Sequence, residues 1–353
     1  MSPDPVGKAA LTILLLAALT AGALISYLWV MGYYVALGLA VPEVASVVIT
    51  EVSVAPQDPT YLTVSVLNPS FSPADAEIIR ISVLTADGTL HEVEETEPSI
   101  PQGGYTLPVG NSEAFKCYWS WVEYAGETVK VMVFLSEGSG ATFQTTLPPT
   151  DLRVTRVVFD PNNGTLFNIT VENSASSATF VNLTGVTVII NEDFQETLDV
   201  DPQLPVSLNP GEAVNLTCLW TWAGHQNRTL TIVVDTLQGY RARFSGVIPT
   251  YVTLEVSEVS FSAAERTGFN VTVTNLPSSV IPVDITRVYI TLKNGTSFSV
   301  TVLNPSLPYT LDVNGTVTLT CSWDWSDRPD EEVTVTIKTL QGFEASETQK
   351  TPP

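Results

Sequence analysis

The sequence predicts a mainly β protein: a long apolar amino-terminal helix, then three tandem antiparallel β-sandwiches. Three observations predict it. The segment Cys-x-Trp-x-Trp occurs at Cys117, Trp119 and Trp121, at Cys218, Trp220 and Trp222, and at Cys321, Trp323 and Trp325. Each cysteine is followed 21 residues later by a glycine, Gly138, Gly239 or Gly342. The cysteines lie 101 and 103 residues apart, a domain's worth of chain, so one module has been copied three times.

Each copy opens with a short strand: Ile49 to Val52, Val154 to Val157, or Val256 to Val259. An alternating strand ending in asparagine comes next. Leu62, Val64 and Val66 precede Asn68; Phe167, Ile169 and Val171 precede Asn173; Phe269, Val271 and Val273 precede Asn275. Period-two alternation gives a strand one buried and one wet face. After two or three more short strands comes the Cys-x-Trp-x-Trp segment, read as an alternating strand that follows turn signals such as Asn209-Pro210-Gly211. Val129, Val131 and Val133, or Val333, Val335 and Ile337, form another strand before the glycine turn. The last strand of each copy runs into proline at Pro148, Pro249 or Pro352. About seven short strands at intervals of about 8–12 residues describe a two-sheet sandwich. The expected boundaries are 1–44 for leader and helix, 45–149, 150–249 and 250–353 for the modules, with stiff proline junctions. The repeat resembles the immunoglobulin-like and CARDB-like modules of archaeal and bacterial surface proteins over roughly residues 45–353, a resemblance of architecture.

Residues 9–40 contain no charge, and about 20 apolar residues suffice for a membrane-spanning helix. As a helix the run would be about 48 Å long. It also exceeds the roughly 7–15 apolar residues of a secretory signal. Trp29, Tyr33 and Tyr34 suit an interfacial belt, and Lys8 before the run keeps the amino terminus inside. The surplus length implies tilting, projection, or packing against copies of itself. Eight Asn-x-Thr sequons follow, at Asn163, Asn168, Asn182, Asn215, Asn227, Asn270, Asn294 and Asn314. Together they place the modules outside the cell as a glycoprotein. The first module has none, the second five and the third three, so glycans are expected only beyond residue 150.

Composition narrows function. Lys and Arg total 15 against 37 Asp and Glu, for a net charge of −22. Such a surface repels nucleic acid phosphates. The three cysteines, one per module at equivalent positions, are too far apart in a tandem array for disulfides, whose Cα atoms approach to about 4.4–6.8 Å. They read as buried thiols beside the tryptophans. The tryptophan pairs read as core, with sugar stacking the alternative if Trp121, Trp222 or Trp325 is exposed. His91 and His225 lie in different modules, and no nucleophile–base set assembles around them. The acidic runs Glu92, Glu94 and Glu95, and Asp327, Asp330, Glu331 and Glu332, follow no EF-hand pattern; weak calcium binding is the one cofactor they suggest. The expectation is a non-enzyme.

Lys8-Ala9-Ala10-Leu11-Thr12, then a long Leu/Ala/Gly helix and Ser26-Tyr27-Leu28-Trp29-Val30-Met31-Gly32, looks like the start of archaeal type IV pilins and archaellins. The resemblance implies leader cleavage between Ala9 and Ala10, self-association of the freed helix in a filament core, and β-domains outside. The alternative is a membrane-anchored ectodomain binding a surface-layer protein, a glycan or another partner.

Overall fold

A computed structural model describes residues 5–36, 44–138, 140–262 and 265–353, with helix side chains described at 14–30 and 32. The chain is mainly β, with one amino-terminal helix, Pro5–Ala36, followed by three sets of antiparallel immunoglobulin-like strands. Every side chain from Leu14 to Val30 is exposed. Among the described residues, no helix is long and apolar enough to cross a membrane. The uncharged run of residues 9–40 continues on both sides into side chains outside the described residues.

The chain forms two compact units. The first comprises residues 1–54, 61–119 and 128–146; the second comprises 55–60, 120–127 and 147–353. In the first unit one sheet has the order Val48–Val54, Leu62–Leu67, Ser112–Tyr118, Glu95–Glu97. The facing sheet runs Leu90–Glu92, Ala76–Leu84, Thr128–Leu135, Ala141–Thr146, with Tyr105–Leu107 also paired to Ala76–Leu84. The alternation read from the sequence is what fills the space between them: Leu62, Val64, Val66, Phe115, Val131 and Ile81 are all fully buried. Each such side chain contributes about 1.5–3 kcal/mol on burial.

The second unit repeats this arrangement twice. Its first copy pairs Leu152–Asp160, Asn163–Asn173, Ala213–Leu219 and Asp199–Asp201 in one sheet. The other sheet is Phe194–Thr197, Val181–Ile190, Thr229–Thr236 and Arg241–Val247, with Val206–Leu208 also paired to Val181–Ile190. In the last copy both sheets join into one eight-stranded sheet, because Ser297–Asn304 pairs with Val283–Leu292 and with Thr316–Ser322, with Tyr309–Leu311 also paired to Val283–Leu292. The equivalent strand in the earlier copies breaks in two, at Val93 and at Leu198, where the apolar side chain turns inward. The third copy makes the crossing without a break, through a register shift between Val302 and Asn304. The first two copies thus keep two separate sheets, and the third joins its two through this one strand.

Two details recur in all three copies. The opening strand carries a β-bulge at Thr50, Thr155 or Ser257. The hydroxyl there donates to the carbonyl of Ser65, Thr170 or Thr272 across the ladder, at 3.2–3.4 Å. The extra residue bends the strand locally. The second strand ends at Asn173 or Asn275, or one residue before Asn68 in the first copy, and all three asparagines have 0% exposure. Their Nδ2 groups donate to two backbone carbonyls: Ala74 and Leu107, Thr179 and Leu208, Ile281 and Leu311. Each amide thus ties a loop carbonyl and the carbonyl at the end of a short strand to the second strand.

Candidate functional site

The repeated Cys-x-Trp-x-Trp segment divides its work among three kinds of position. The cysteine is core. Cys117, Cys218 and Cys321 are free and have 0% exposure. Burial pushes each thiol up to about 12, because the thiolate would lose its water. At neutral pH such a thiol is an inert apolar side chain.

The alternating-strand reading of the segment needs correction. The strands end at Tyr118, Leu219 and Ser322, one residue past the cysteine. In the first two copies the chain then enters short 3-10 turns, Val122–Tyr124 and Ala223–His225. The tryptophans therefore lie in a loop, held by ring packing and by single backbone bonds such as Trp323 N to the Thr267 carbonyl and Trp325 N to the Arg266 carbonyl.

The first tryptophan of each pair sits at the margin of the core beside another ring. Trp119 is 5.6 Å from His91. Trp220 lies nearly parallel to His225 at 4.9 Å, and its Nε1 donates to Glu196 Oε2 at 3.0 Å. Phe194 also stacks with His225, at 6.4 Å. Trp323 is 6.4 Å from Phe298. Desolvation, with the Arg228 charge, holds the His225 imidazole below its ordinary range. Both histidines thus serve as ring partners of a tryptophan. Among the described residues, no group of three or more His, Cys, Asp or Glu side chains is arranged to hold a metal ion.

The second tryptophan, Trp121, Trp222 or Trp325, has 0% exposure, so none offers the open face that sugar stacking needs. Trp222 shows what the position does. Its Nε1 donates to the carbonyls of Leu166 at 2.8 Å and Asn163 at 3.2 Å. Its ring meets Phe159 at 5.2 Å, Tyr251 at 5.8 Å and Phe343 at 5.7 Å, all in edge-on contact. Phe159 belongs to the same copy, whereas Tyr251 and Phe343 belong to the linker and the next copy. Trp222 therefore seats one copy against another, inside the second unit.

The glycine turn supplies the counterpart. Thr339, Leu340, Gln341, Gly342 and Phe343 repeat Thr236, Leu237, Gln238, Gly239 and Tyr240. Gly342 has φ +93°, a conformation that glycine adopts without strain. The hydroxyl of Thr339 donates to the Phe343 carbonyl at 3.0 Å and clips the turn shut. The Gln341 side chain accepts from Asp284 N at 3.0 Å, and the Gln341 carbonyl accepts from Gly164 N at 2.6 Å. A Cβ on Gly164 would come within 2.6 Å of that oxygen and 2.5 Å of Ala223 Cβ. Gln226 completes the joint: its Oε1 accepts from Tyr251 N and Val252 N, while its Nε2 donates to the Val252 carbonyl.

Tyr240 occupies the equivalent place one copy earlier and is 3% exposed. Within the second unit its hydroxyl donates to the Pro56 carbonyl at 3.2 Å, and a Cβ on Gly239 would lie 3.4 Å from Val122. In the last copy Trp325 is covered differently. Its Nε1 donates to the Gly268 carbonyl at 3.4 Å, and the Arg266 guanidinium lies 5.8 Å from the ring. Sequence reasoning identified the tryptophans and glycines but missed Tyr240, Phe343, Gln341 and Gly164. The repeated Thr-Leu-Gln-Gly-aromatic pentapeptide was the available signal.

Of the sequon asparagines, Asn168, Asn215, Asn227, Asn270, Asn294 and Asn314 are exposed; Asn163 and Asn182 are half-buried. Ala9 and Ala10 fall within the helix, with side chains outside the described residues. The acidic residues Glu92, Glu94 and Glu95 line an open cleft of about 500 Å³ with Arg80 and Gln102.

No known protein-family profile matches the chain, and no curated protein sequence matches it. Among solved structures it is similar to the tetra-tandem repeat in the extending region of a large adhesion protein, at 15% identity. That match covers 87% of this chain and 74% of the other, with a TM-score of 0.22. The FN1–FN3 domains of chicken CNTN1 match at 11% identity over 87% of this chain and 98% of theirs, TM-score 0.23. Salmonella α2-macroglobulin reacted with methylamine matches at 12% identity over 89% of this chain and 23% of its own, TM-score 0.30.

Proposed function

We propose that the protein is an extracellular structural and adhesive subunit of pilin-like type, assembling with its own copies through the amino-terminal helix and displaying three immunoglobulin-like modules outside the cell. The observation that carries this reading is the helix. Leu14, Leu15, Leu16, Leu19, Leu24, Ile25, Leu28 and Trp29 are 60–72% exposed, on every side of the rod. A helix apolar all round requires burial, whether in lipid or among other helices. The uncharged run of residues 9–40 exceeds what one bilayer requires, which favours helices packed together. Leader cleavage between Ala9 and Ala10 would free such a helix for assembly. The sequons support an outside location for the modules, and the net charge of −22 argues against a nucleic acid partner.

A second reading is favoured by Lys8 and the interfacial aromatics Trp29, Tyr33 and Tyr34: a membrane-anchored ectodomain that binds a surface-layer protein, a glycan or another partner. In both readings the buried joint is structural, and no catalytic role is assigned to any residue. Electron microscopy of native cell-surface fractions separates them. Filaments with residues 10–40 at their centre support the first. Detergent-soluble single chains that retain Met1 support the second and sink the first.

A further inference from the structure

The eight sequons look alike in sequence, but the fold sorts them into two backbone settings. Asn227, Asn294 and Asn314 sit in turns. Asn294 is at the tip between Val283–Leu292 and Ser297–Asn304, its Oδ1 accepting from Thr296 N at 2.9 Å. Asn227 and Asn314 have left-handed backbones, φ 62° and 61°, just before strands Thr229–Thr236 and Thr316–Ser322.

Asn168, Asn215 and Asn270 are equally exposed but lie in interior strands. Asn163–Asn173 is paired on one side with Leu152–Asp160 and on the other with Ala213–Leu219. Ala213–Leu219 is paired with Asn163–Asn173 from Ala213 to Cys218 and with Asp199–Asp201 only from Thr217 to Leu219, while Gly268–Asn275 lies between Leu254–Phe261 and Thr316–Ser322. Moreover, two sequons interlock. Asn168 is opposite Thr217, and Thr170 is opposite Asn215. Thr217 Oγ1 donates to Asn168 Oδ1 at 2.8 Å, and Thr170 Oγ1 donates to Asn215 Oδ1 at 2.7 Å. The threonine of each sequon is thus engaged by the asparagine of the other. Asn182 is half-buried in a strand paired on both sides, opposite Ser207. The half-buried Asn163 begins its strand at the tight turn opposite Asp160 and is closed in another way: the N–H of the next residue, Gly164, is held by the Gln341 carbonyl.

We propose that Asn227, Asn294 and Asn314 are the N-glycan acceptor sites of the folded protein, and that Asn163, Asn168, Asn182, Asn215 and Asn270 close to transfer once their strands pair. The donor is an oligosaccharide carried on a lipid phosphate. In the transfer, Asn Nδ2 bonds to the first sugar's C1 as the C1–O bond to the phosphate breaks. The phosphate leaves with the bonding pair, and the Nδ2 proton passes to a base of the transferase. An enzyme must hold the Asn-x-Thr segment as a single strand to do this. To enter such a cleft a turn gives up only its flanking bonds, such as Asn227 N to the Ile248 carbonyl and Asn314 N to the Asn275 carbonyl, whereas Asn168 and Asn270 must first leave neighbours on both edges. Side-chain exposure alone would predict six open sites, so ladder position is the deciding feature.

The inference concerns the folded chain's chemistry and does not depend on where the protein resides. The test uses full-length unglycosylated chain, purified in detergent, its β content verified by circular dichroism. It is incubated with a purified oligosaccharyltransferase and lipid-linked oligosaccharide, alongside synthetic peptides spanning each sequon. Site occupancy is read by glycopeptide mass spectrometry over time. The three turn sequons are expected to react within about threefold of their peptides, and the five others at least tenfold more slowly than theirs. Modification of folded Asn168, Asn215 or Asn270 at the peptide rate overturns the proposal, as does refusal by the turn sites.

Discussion

Removing the Trp222 ring tests whether the repeated motif couples one copy to the next. In Trp222→Ala the chain loses three edge-on ring contacts, with Phe159, Tyr251 and Phe343. At about 0.5–1.5 kcal/mol per aromatic pair, these amount to about 3 kcal/mol. The carbonyls of Leu166 and Asn163 also lose their shared donor, and leaving such groups unpaired costs about 1–3 kcal/mol. The sum, about 4–6 kcal/mol, reaches the upper part of the about 3–5 kcal/mol range for a Trp→Ala cavity. Stability alone does not isolate the joint, because part of the loss falls within one copy. The discriminating measurement is a double-mutant cycle with Phe343→Ala, followed by urea unfolding of the full chain. Direct ring contact predicts a coupling of about 1 kcal/mol, within the about 0.5–3 kcal/mol range of touching residues. Additivity to within about 0.3 kcal/mol would refute the claim that the two rings act together.

Three further outcomes follow from other parts of the structure. Gly342→Ala forces a left-handed residue, at about 1–2 kcal/mol, and sets a Cβ 3.2 Å from Thr165 Cγ2. Gly88→Ala has a similar φ of +88° and open space around it, so a larger loss in thermal unfolding at position 342 measures the joint itself. Asn173→Ala removes both bonds to the Thr179 and Leu208 carbonyls and should cost about 2–4 kcal/mol by chemical denaturation; a loss below about 0.5 kcal/mol contradicts the pinning role. The three thiols should resist alkylation in the folded chain at pH 8 and react fully in urea. Their folded values of about 12 lie above the ordinary 9.0, so folding favours the protonated form. That contribution is intact below pH 9 and is lost as pH rises from 9 toward 12, by up to about 1.4 kcal/mol per pH unit per thiol. Cys218→Ala should flatten this alkaline slope in unfolding curves, and an unchanged slope counts against it.

Strand alternation was legible wherever one face is buried, because burial imposes a period of two. Leu62, Val64 and Val66 with Phe115 and Cys117 show the pattern plainly. The glycines were legible too, since Gly239 and Gly342 both have φ near +90°. The end of the Cys-x-Trp-x-Trp strand was not. Alternation continues through Trp119 and Trp121 in the sequence, but their backbone leaves the ladder to let the rings pack. The partnership of Trp222 with Phe343 was also hidden, because it joins residues 121 apart in different copies and local periodicity carries no such information. The continuous sheet of the third copy depends on whether one crossing strand bends at an inward apolar residue, as at Leu198, or slips its register, as at Val302.

The joint has a consequence for how such a chain can change length over generations. The second copy carries both the seat, Trp222, and the plug, Tyr240, within its own hundred residues. A gene segment duplicated in frame thus arrives with its fittings at either end, and no neighbouring surface has to be reinvented to receive it. Reach becomes adjustable by recombination, one whole unit at a time.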